Sequence, residues 1–185
     1  MVNDIVADLR SGLDGSVESL QRELAKRRTG RANVAILDGI KVEYYGTKSP
    51  LNQVASVQVP DPRLITIKPW EKSMVQAIEK AIQQSSIGLT PSSDGELIRI
   101  PIPPLTEERR KELVKDVRRV SEDAKVALRN QRRDANEMLK EAEKGKDISE
   151  DELRRGLAKV QEVLDEYVKK VDDLMATKEK EILEF

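Results

Sequence analysis

Apolar side chains recur along the first 29 residues at Val6, Leu9, Leu13, Val17, Leu20 and Leu24, in steps of three and four. That spacing lays them on one face of an α-helix, and Gly30 is placed to end it. From Gly39 the texture changes to short β-branched runs: Ile40 to Tyr45, Val54 to Val59, Leu64 to Lys68 and Leu97 to Ile102. Asp61-Pro62, Thr90-Pro91 and Asp94-Gly95 punctuate these runs as turns. Between the third and fourth runs, Ser73 and Gln76 have the spacing of a capping box. They predict a short helix through Ile78 and Ile82 that stops near Gly88. Pro101, Pro103 and Pro104 then forbid a regular helix or a central strand, and Thr106 with Glu107 and Glu108 opens a second long helix.

The predicted seam of that helix runs Leu113, Val117, Val120, Ala124, Ala127, Gln131, Ala135 (slightly out of step), Met138 and Ala142. Asp147 and Ser149 interrupt it, and Ser149 with Glu152 forms a second capping box. A last helix repeats the period through Leu153, Leu157, Val160, Leu164, Tyr167, Val171, Leu174 and Ile182. None of the three long helices can hide its apolar stripe alone, whereas the β-rich stretch has an alternation of its own. The expected fold is therefore α+β: a three-helix bundle of residues 1–30 and 105–185, interrupted by an inserted β/α/β domain of residues 31–104. Up-down-up packing brings Gly30, Leu105 and Phe185 to one end, so the two connections lie side by side as a hinge.

Composition narrows the chemistry. Without cysteine or histidine, the chain has no disulfides, thiolate chemistry, Cys/His zinc sites or imidazole acid–base catalysis. No nucleophile has a base in view, no metal ligands cluster, and Gly88 and Gly95 lack the spacing of a phosphate-binding loop. Neither an enzyme nor a bound cofactor is expected. The apolar runs are too short to cross a bilayer, which points to a cytoplasmic protein without a membrane partner.

Net charge is −1, yet the total conceals segregation. Arg109 to Arg133 hold ten Lys/Arg against four acids, whereas Glu137 to Phe185 hold ten Lys/Arg and fifteen acids. The second helix is locally basic and the third acidic. Heptad counting puts Lys115, Arg118, Glu122, Lys125, Arg129, Arg132 and Asn136 on the face opposite the predicted seam, with Arg119 and Arg133 beside it. Lys26, Arg27, Arg28, Arg31, Arg109 and Arg110 form a second cluster near the insert. Arginine's flat fork suits phosphate and stacks on bases, so RNA contact is one reading. The other is a solvated face laced with i,i+4 pairs. Arg129, Arg132 and Arg133 lack an acid four residues earlier, which weakens that reading, although Asp134 and Glu137 are within reach. Trp70 is expected to anchor packing, and Tyr44 and Tyr45 to point to opposite faces of a strand.

Several ordered motifs resemble one family: RTGRANVAILDG (28–39), LDGIKVEYYG (37–46), IRIPIPPLTEERRKEL (98–113), RNQRRDAN (129–136) and ISEDELRR (148–155). Together they are similar to the bacterial ribosome recycling factors over the whole chain. The resemblance implies an L-shaped fold and a monomer that binds large-subunit ribosomal RNA of the post-termination ribosome. Elongation factor G, using GTP, would then swing the inserted domain and part the subunits. It also implies RNA contacts at Arg28, Arg31, Arg110, Arg129, Arg132 and Arg133, with Gly30, Pro101, Pro103, Pro104 and Leu105 in the hinge. Gln131 departs from the family's usual aliphatic residue and puts seam packing there in doubt. A chaperone-like coiled coil that binds proteins along its grooves is the rival reading, but it leaves the arginines and prolines without a task.

Overall fold

The structure, a computed structural model, describes residues 1–27 and 29–184. In chain order its elements are α1 (Val2–Ala25), β1 (Lys41–Tyr44), β2 (Thr47–Pro50), α2 (Leu51–Val54), β3 (Ala55–Asp61), β4 (Leu64–Pro69), α3 (Val75–Gln84), β5 (Ser92–Ser93), β6 (Ile98–Pro101), α4 (Glu107–Lys144) and α5 (Glu150–Glu184). Two units form: residues 1–24 with 112–180, and residues 25–111 with the last residues from Glu181 on.

The first unit is a bundle of three long helices. Arg10 bonds to Glu166 at 2.7 Å and the Tyr167 hydroxyl donates to Asp14 at 2.5 Å, so α1 and α5 run in the same sense. Arg118 bonds to Glu179 and Lys125 to Asp172, so α4 runs antiparallel to α5. The predicted stripe of α1 is buried at every position from Val6 to Leu24. The helix ends at Ala25, before Gly30, because no apolar residue continues the stripe past Leu24 into the basic Lys26 and Arg27. Gly30 still takes a left-handed backbone, with φ of +83°.

The α4 seam differs from the expected one. Met138 is half exposed, and Val120, Ala124 and Ala127 are only partly covered. The buried row is Val114, Ser121, Leu128, Ala135 and Ala142, at steps of seven, supplemented by Leu113, Val117 and Leu139. Ser121 is polar and so broke the apolar pattern, but it is small enough to be fully covered between helices. The same register puts Ala135 in step. Gln131 packs without conflict: its amide donates to Ser16 Oγ at 2.7 Å, and its tip lies where a Cβ on Gly12 would sit, 2.5 Å away. A glycine on α1 thus makes room for the glutamine on α4.

The predicted cap at Ser149 is present in both directions. Ser149 N–H donates to Glu152 at 2.7 Å, and Glu152 N–H donates to Ser149 Oγ at 3.1 Å. These bonds hold Glu152 below the usual carboxylate range. Before that cap α4 ends in a Schellman pattern, with Asp147 N–H to Ala142 O at 2.9 Å and Lys146 N–H to Glu143 O at 2.9 Å. Its left-handed residue is Lys146, at φ of +63°, rather than a glycine.

In the second unit a four-stranded antiparallel sheet, ordered β3-β4-β6-β5, packs Ile65, Ile67, Ile98 and Ile100 against Ile78 and Ile82 of α3. A β1–β2 hairpin contributes Val42 to the same core. Thr47–Pro50 and Ser92–Ser93 carry no apolar alternation, so their strands leave no periodic signal in the sequence. The Ser73–Gln76 capping box does not form. Lys72–Met74 is a 3-10 turn, and α3 starts at Val75 without a side-chain cap, because buried Met74 and Val75 anchor the start instead.

Pro101 overturns the expectation that it cannot join a central strand. It ends β6, which has neighbours on both sides. Ile102 N–H bonds to Arg63 O at 2.8 Å, so in this antiparallel ladder residues 98, 100 and 102 bond towards β4 while residue 101 points away. On that side β5 reaches only Ile98 and Arg99, so the missing N–H costs no ladder bond.

Candidate nucleic-acid interface

The basic face of α4 is built from two rows at helical spacing. Arg118, Lys125 and Arg132 are seven residues apart and line the border with α5. Opposite them, also at steps of seven, lie Glu179, Asp172 and Asp165. Arg118 Nε donates to Glu179 Oε1 at 2.5 Å, and that bond raises the already high Arg118 pKa further. Lys125 pairs with Asp172 and keeps only 16% of its side chain exposed. Arg132 donates to Gln161 Oε1 at 3.2 Å, and Gln161 in turn donates to Asp165 at 2.9 Å. The Arg132 Nε and the neighbouring Asn136 Oδ1 are both buried without a hydrogen-bond partner.

This ladder corrects the placement of Lys125 on a face opposite the seam, and it gives Arg118 an acid partner across helices. Of Arg129, Arg132 and Arg133, only Arg129 pairs with an acid among the described residues, Glu122 of its own helix. The pairing in the ladder is interhelical. Heptad-spaced cations on one helix and heptad-spaced acids on the next carried the signal, as in the flanking positions of coiled coils. The i,i+4 pairs within α4 do not reveal it.

The second row faces solvent. Arg133 and Lys115 are exposed and form no hydrogen bond or ion pair among the described residues. Arg129 is part-exposed and shares its charge with Glu122 at 3.1 Å, while Arg119 is held by Asp116 at 2.7 Å and Asp123 at 3.5 Å. Arg129 and Arg133 are therefore the arginines of the 129–133 cluster that best present N–H donors outward, and Arg132 is half occupied by packing.

The second basic cluster is dispersed in its tasks. Arg110 donates to the carbonyls of Ile182 at 2.8 Å and Leu183 at 3.3 Å, satisfying the C-terminal end of α5. Arg31 is exposed beside a hollow that Thr29, Glu181 and Glu184 also line. Arg28 lies outside the described residues. Among the expected hinge residues, Gly30 is buried in its left-handed conformation and Leu105 is buried. Pro103 and Pro104 lie in the segment between β6 and α4. Ala32 N–H bonds to Pro62 O at 2.6 Å and Ile102 N–H to Arg63 O, so both chain segments are tied to the same β3–β4 turn.

The aromatic residues also depart from expectation. Trp70 is 67% exposed and does not anchor the core. Tyr44 and Tyr45 do not face opposite ways: Tyr45 sits in the β1–β2 turn, the rings meet edge-on at 4.5 Å, and both hydroxyls bond to Glu71. Among the described residues no group of His, Cys, Asp and Glu could hold a metal ion, and no helix is long and apolar enough to cross a membrane.

Fold and face together define a helical-bundle protein with an inserted α/β module and a basic helix edge. The family profile "Ribosome recycling factor" matches residues 20–183. Ribosome-recycling factors of Sorangium cellulosum (strain So ce56) and Myxococcus xanthus (strain DK1622) are 55% and 52% identical over 184 residues, with 100% of each chain covered. A solution structure of a ribosome recycling factor superposes with a TM-score of 0.80 at 42% identity, covering 100% of this chain and 98% of that one. A Thermus thermophilus ribosome recycling factor, described with Escherichia coli elongation factor G as bound to the E. coli post-termination complex, matches at 48% identity and a TM-score of 0.68. That match covers 99% of each chain. The chain belongs to the ribosome recycling factor family.

Proposed function

We propose that this chain binds the post-termination ribosome and, with elongation factor G and GTP, promotes its dissociation into subunits and the release of mRNA and tRNA. Membership of the family carries the reading, and the relative described on a post-termination complex with elongation factor G supports the choice of partners. The chain acts in the cytoplasm as a monomer and performs no chemistry of its own; GTP hydrolysis belongs to the translocase.

The bundle of residues 1–30 and 105–185 anchors the protein on large-subunit RNA, and the inserted module of residues 31–104 is the part that is moved. Arg129 and Arg133 make the outer phosphate contacts. Arg132 contributes from the groove edge, and Arg28, Arg31 and Arg110 extend the contact towards the insert. The open arginine edge of α4 favours this over protein binding along the α4–α5 groove, because ion pairs bridge that groove. Gly30, with its left-handed backbone, and the φ-restricted Pro101, Pro103 and Pro104 before Leu105 are the hinge strands.

Sucrose-gradient sedimentation of post-termination ribosomes tests the proposal. The chain, elongation factor G and GTP together should convert 70S particles into 30S and 50S subunits, and omission of any one should leave 70S intact. Persistence of 70S with all three present would refute it.

A further inference from the structure

The second unit carries a small cavity of about 170 Å³ lined by Tyr44, Val54, Trp70, Glu71 and Met74, among others. Small-molecule clefts usually run to roughly 300–1,000 Å³, so this one has room for a single side chain. Three observations set it apart from ordinary surface. Trp70, the only tryptophan in the chain, is two-thirds exposed while its backbone is pinned, with its N–H bonded to Val54 O at 3.0 Å. The Glu71 carboxylate receives one phenol on each oxygen, Tyr44 on Oε1 at 2.8 Å and Tyr45 on Oε2 at 3.0 Å. It has no cationic partner among the described residues, and the two bonds raise the pKa of both phenols.

The third observation is backbone strain. Tyr45 and Gly46, the central residues of the β1–β2 turn, have φ of +47° and +77°. Positive φ at both positions is the hairpin geometry for which Asn-Gly is favoured, and a tyrosine in the first position is strained. Strain of this kind persists where the surroundings hold it and clusters at functional sites. Here the Tyr45 hydroxyl is spent on bracing Glu71.

We propose that this cavity is a recognition pocket for an arginine side chain presented by a partner protein. Each Glu71 oxygen accepts one tyrosine hydroxyl and keeps lone-pair capacity for a second donor, which matches the two parallel N–H bonds of a guanidinium. The exposed Trp70 ring offers the face on which a planar cation stacks, and Val54 and Met74 supply apolar surface for the methylene stem. An ammonium ion can use only one of these features at a time, and an acidic or neutral side chain leaves Glu71 desolvated without a counter-ion. The pocket is independent of the α4 face, so this inference stands apart from the proposed function.

Trp70 fluorescence reports on the pocket directly in the full chain. Titration with N-acetyl-arginine amide should give a saturable change with a midpoint in the millimolar range, as expected for one side chain without a surrounding interface. N-acetyl-lysine amide should bind several-fold more weakly. Glu71→Gln should weaken the arginine response about tenfold. Tyr45→Asn gives the turn its preferred residue, so that variant should melt no lower than wild type yet bind several-fold more weakly. The proposal is overturned if wild type gives no saturable response or if the lysine amide binds as tightly. It is equally overturned if Glu71→Gln or Tyr45→Asn responds as wild type does.

Discussion

Replacing Arg133 by alanine separates RNA contact from helix packing more cleanly than replacing Arg132 does. The side chain is exposed and forms no hydrogen bond or ion pair among the described residues, so its loss should alter stability by less than about 0.5 kcal/mol. On the ribosome, one charge-assisted contact to phosphate contributes about 1.5–3 kcal/mol, and an exposed position belongs at the lower end. About 1.4 kcal/mol is a tenfold rise in Kd for 50S subunits. One phosphate contact fewer should also flatten the slope of log K against log salt by about 0.7–0.9. The corresponding Arg132 variant is harder to read, because Arg132 donates to Gln161 and its Nε is buried, so packing and binding change together. Binding isotherms for 50S subunits at several KCl concentrations, with thermal melts followed by circular dichroism, measure both quantities. If Arg133→Ala binds with wild-type Kd and slope, the open edge of α4 is not a phosphate contact. If it instead melts with a loss of more than about 1 kcal/mol, the side chain has a packing role that its exposure denies.

Asp172→Asn should release Lys125 from its ion pair and tighten 50S binding severalfold at low salt, read in the same isotherms. Ser121→Ala removes a fully buried hydroxyl without a partner and should stabilise the protein by about 1 kcal/mol, or about 2–4 °C in a calorimetric melt. Lys146→Gly relieves a left-handed residue at the α4 terminus and should add about 1 kcal/mol in a denaturant titration. The Leu97 and Glu96 amides and the Arg99 guanidinium hold Asp94 at about 2, below its ordinary 3.8. Its folded pKa is depressed, so its contribution is complete above 3.8 and is lost as pH falls through about 2. Asp94→Asn should flatten the acid limb of the stability curve between those values, measured by urea denaturation at each pH.

Local signals in the sequence were sufficient for much of this architecture. The steps of three and four in α1, the Ser149–Glu152 box and the β-branched runs of β4 and β6 each reflect physics confined to a few neighbouring residues. They therefore appear wherever those residues occur together. The motifs from residue 28 to residue 155 carried the family resemblance for a related reason, since ordered runs of many residues are specific where single patterns are not. Edge strands β2 and β5 left no such trace, because exposed polar residues are recruited into a sheet by the strand beside them.

What tertiary structure decided is the assignment of each polar side chain to a partner far along the chain. Ser121 carries no apolar signal yet is fully buried in the bundle, and Gln131 reads as a packing fault until Gly12 leaves space for it. Arg118, Lys125 and Arg132 read as parts of an open, mostly cationic stripe until α5 brings Glu179, Asp172 and Gln161 against them. Tyr44 and Tyr45 could be ranked by hydrophobicity but not placed, because their positions depend on a turn with positive φ and on a carboxylate 27 and 26 residues away. Periodicity determines which face of an element is apolar; the pairing of charges and the exposure of an aromatic ring depend on distances that exist only after the elements have packed.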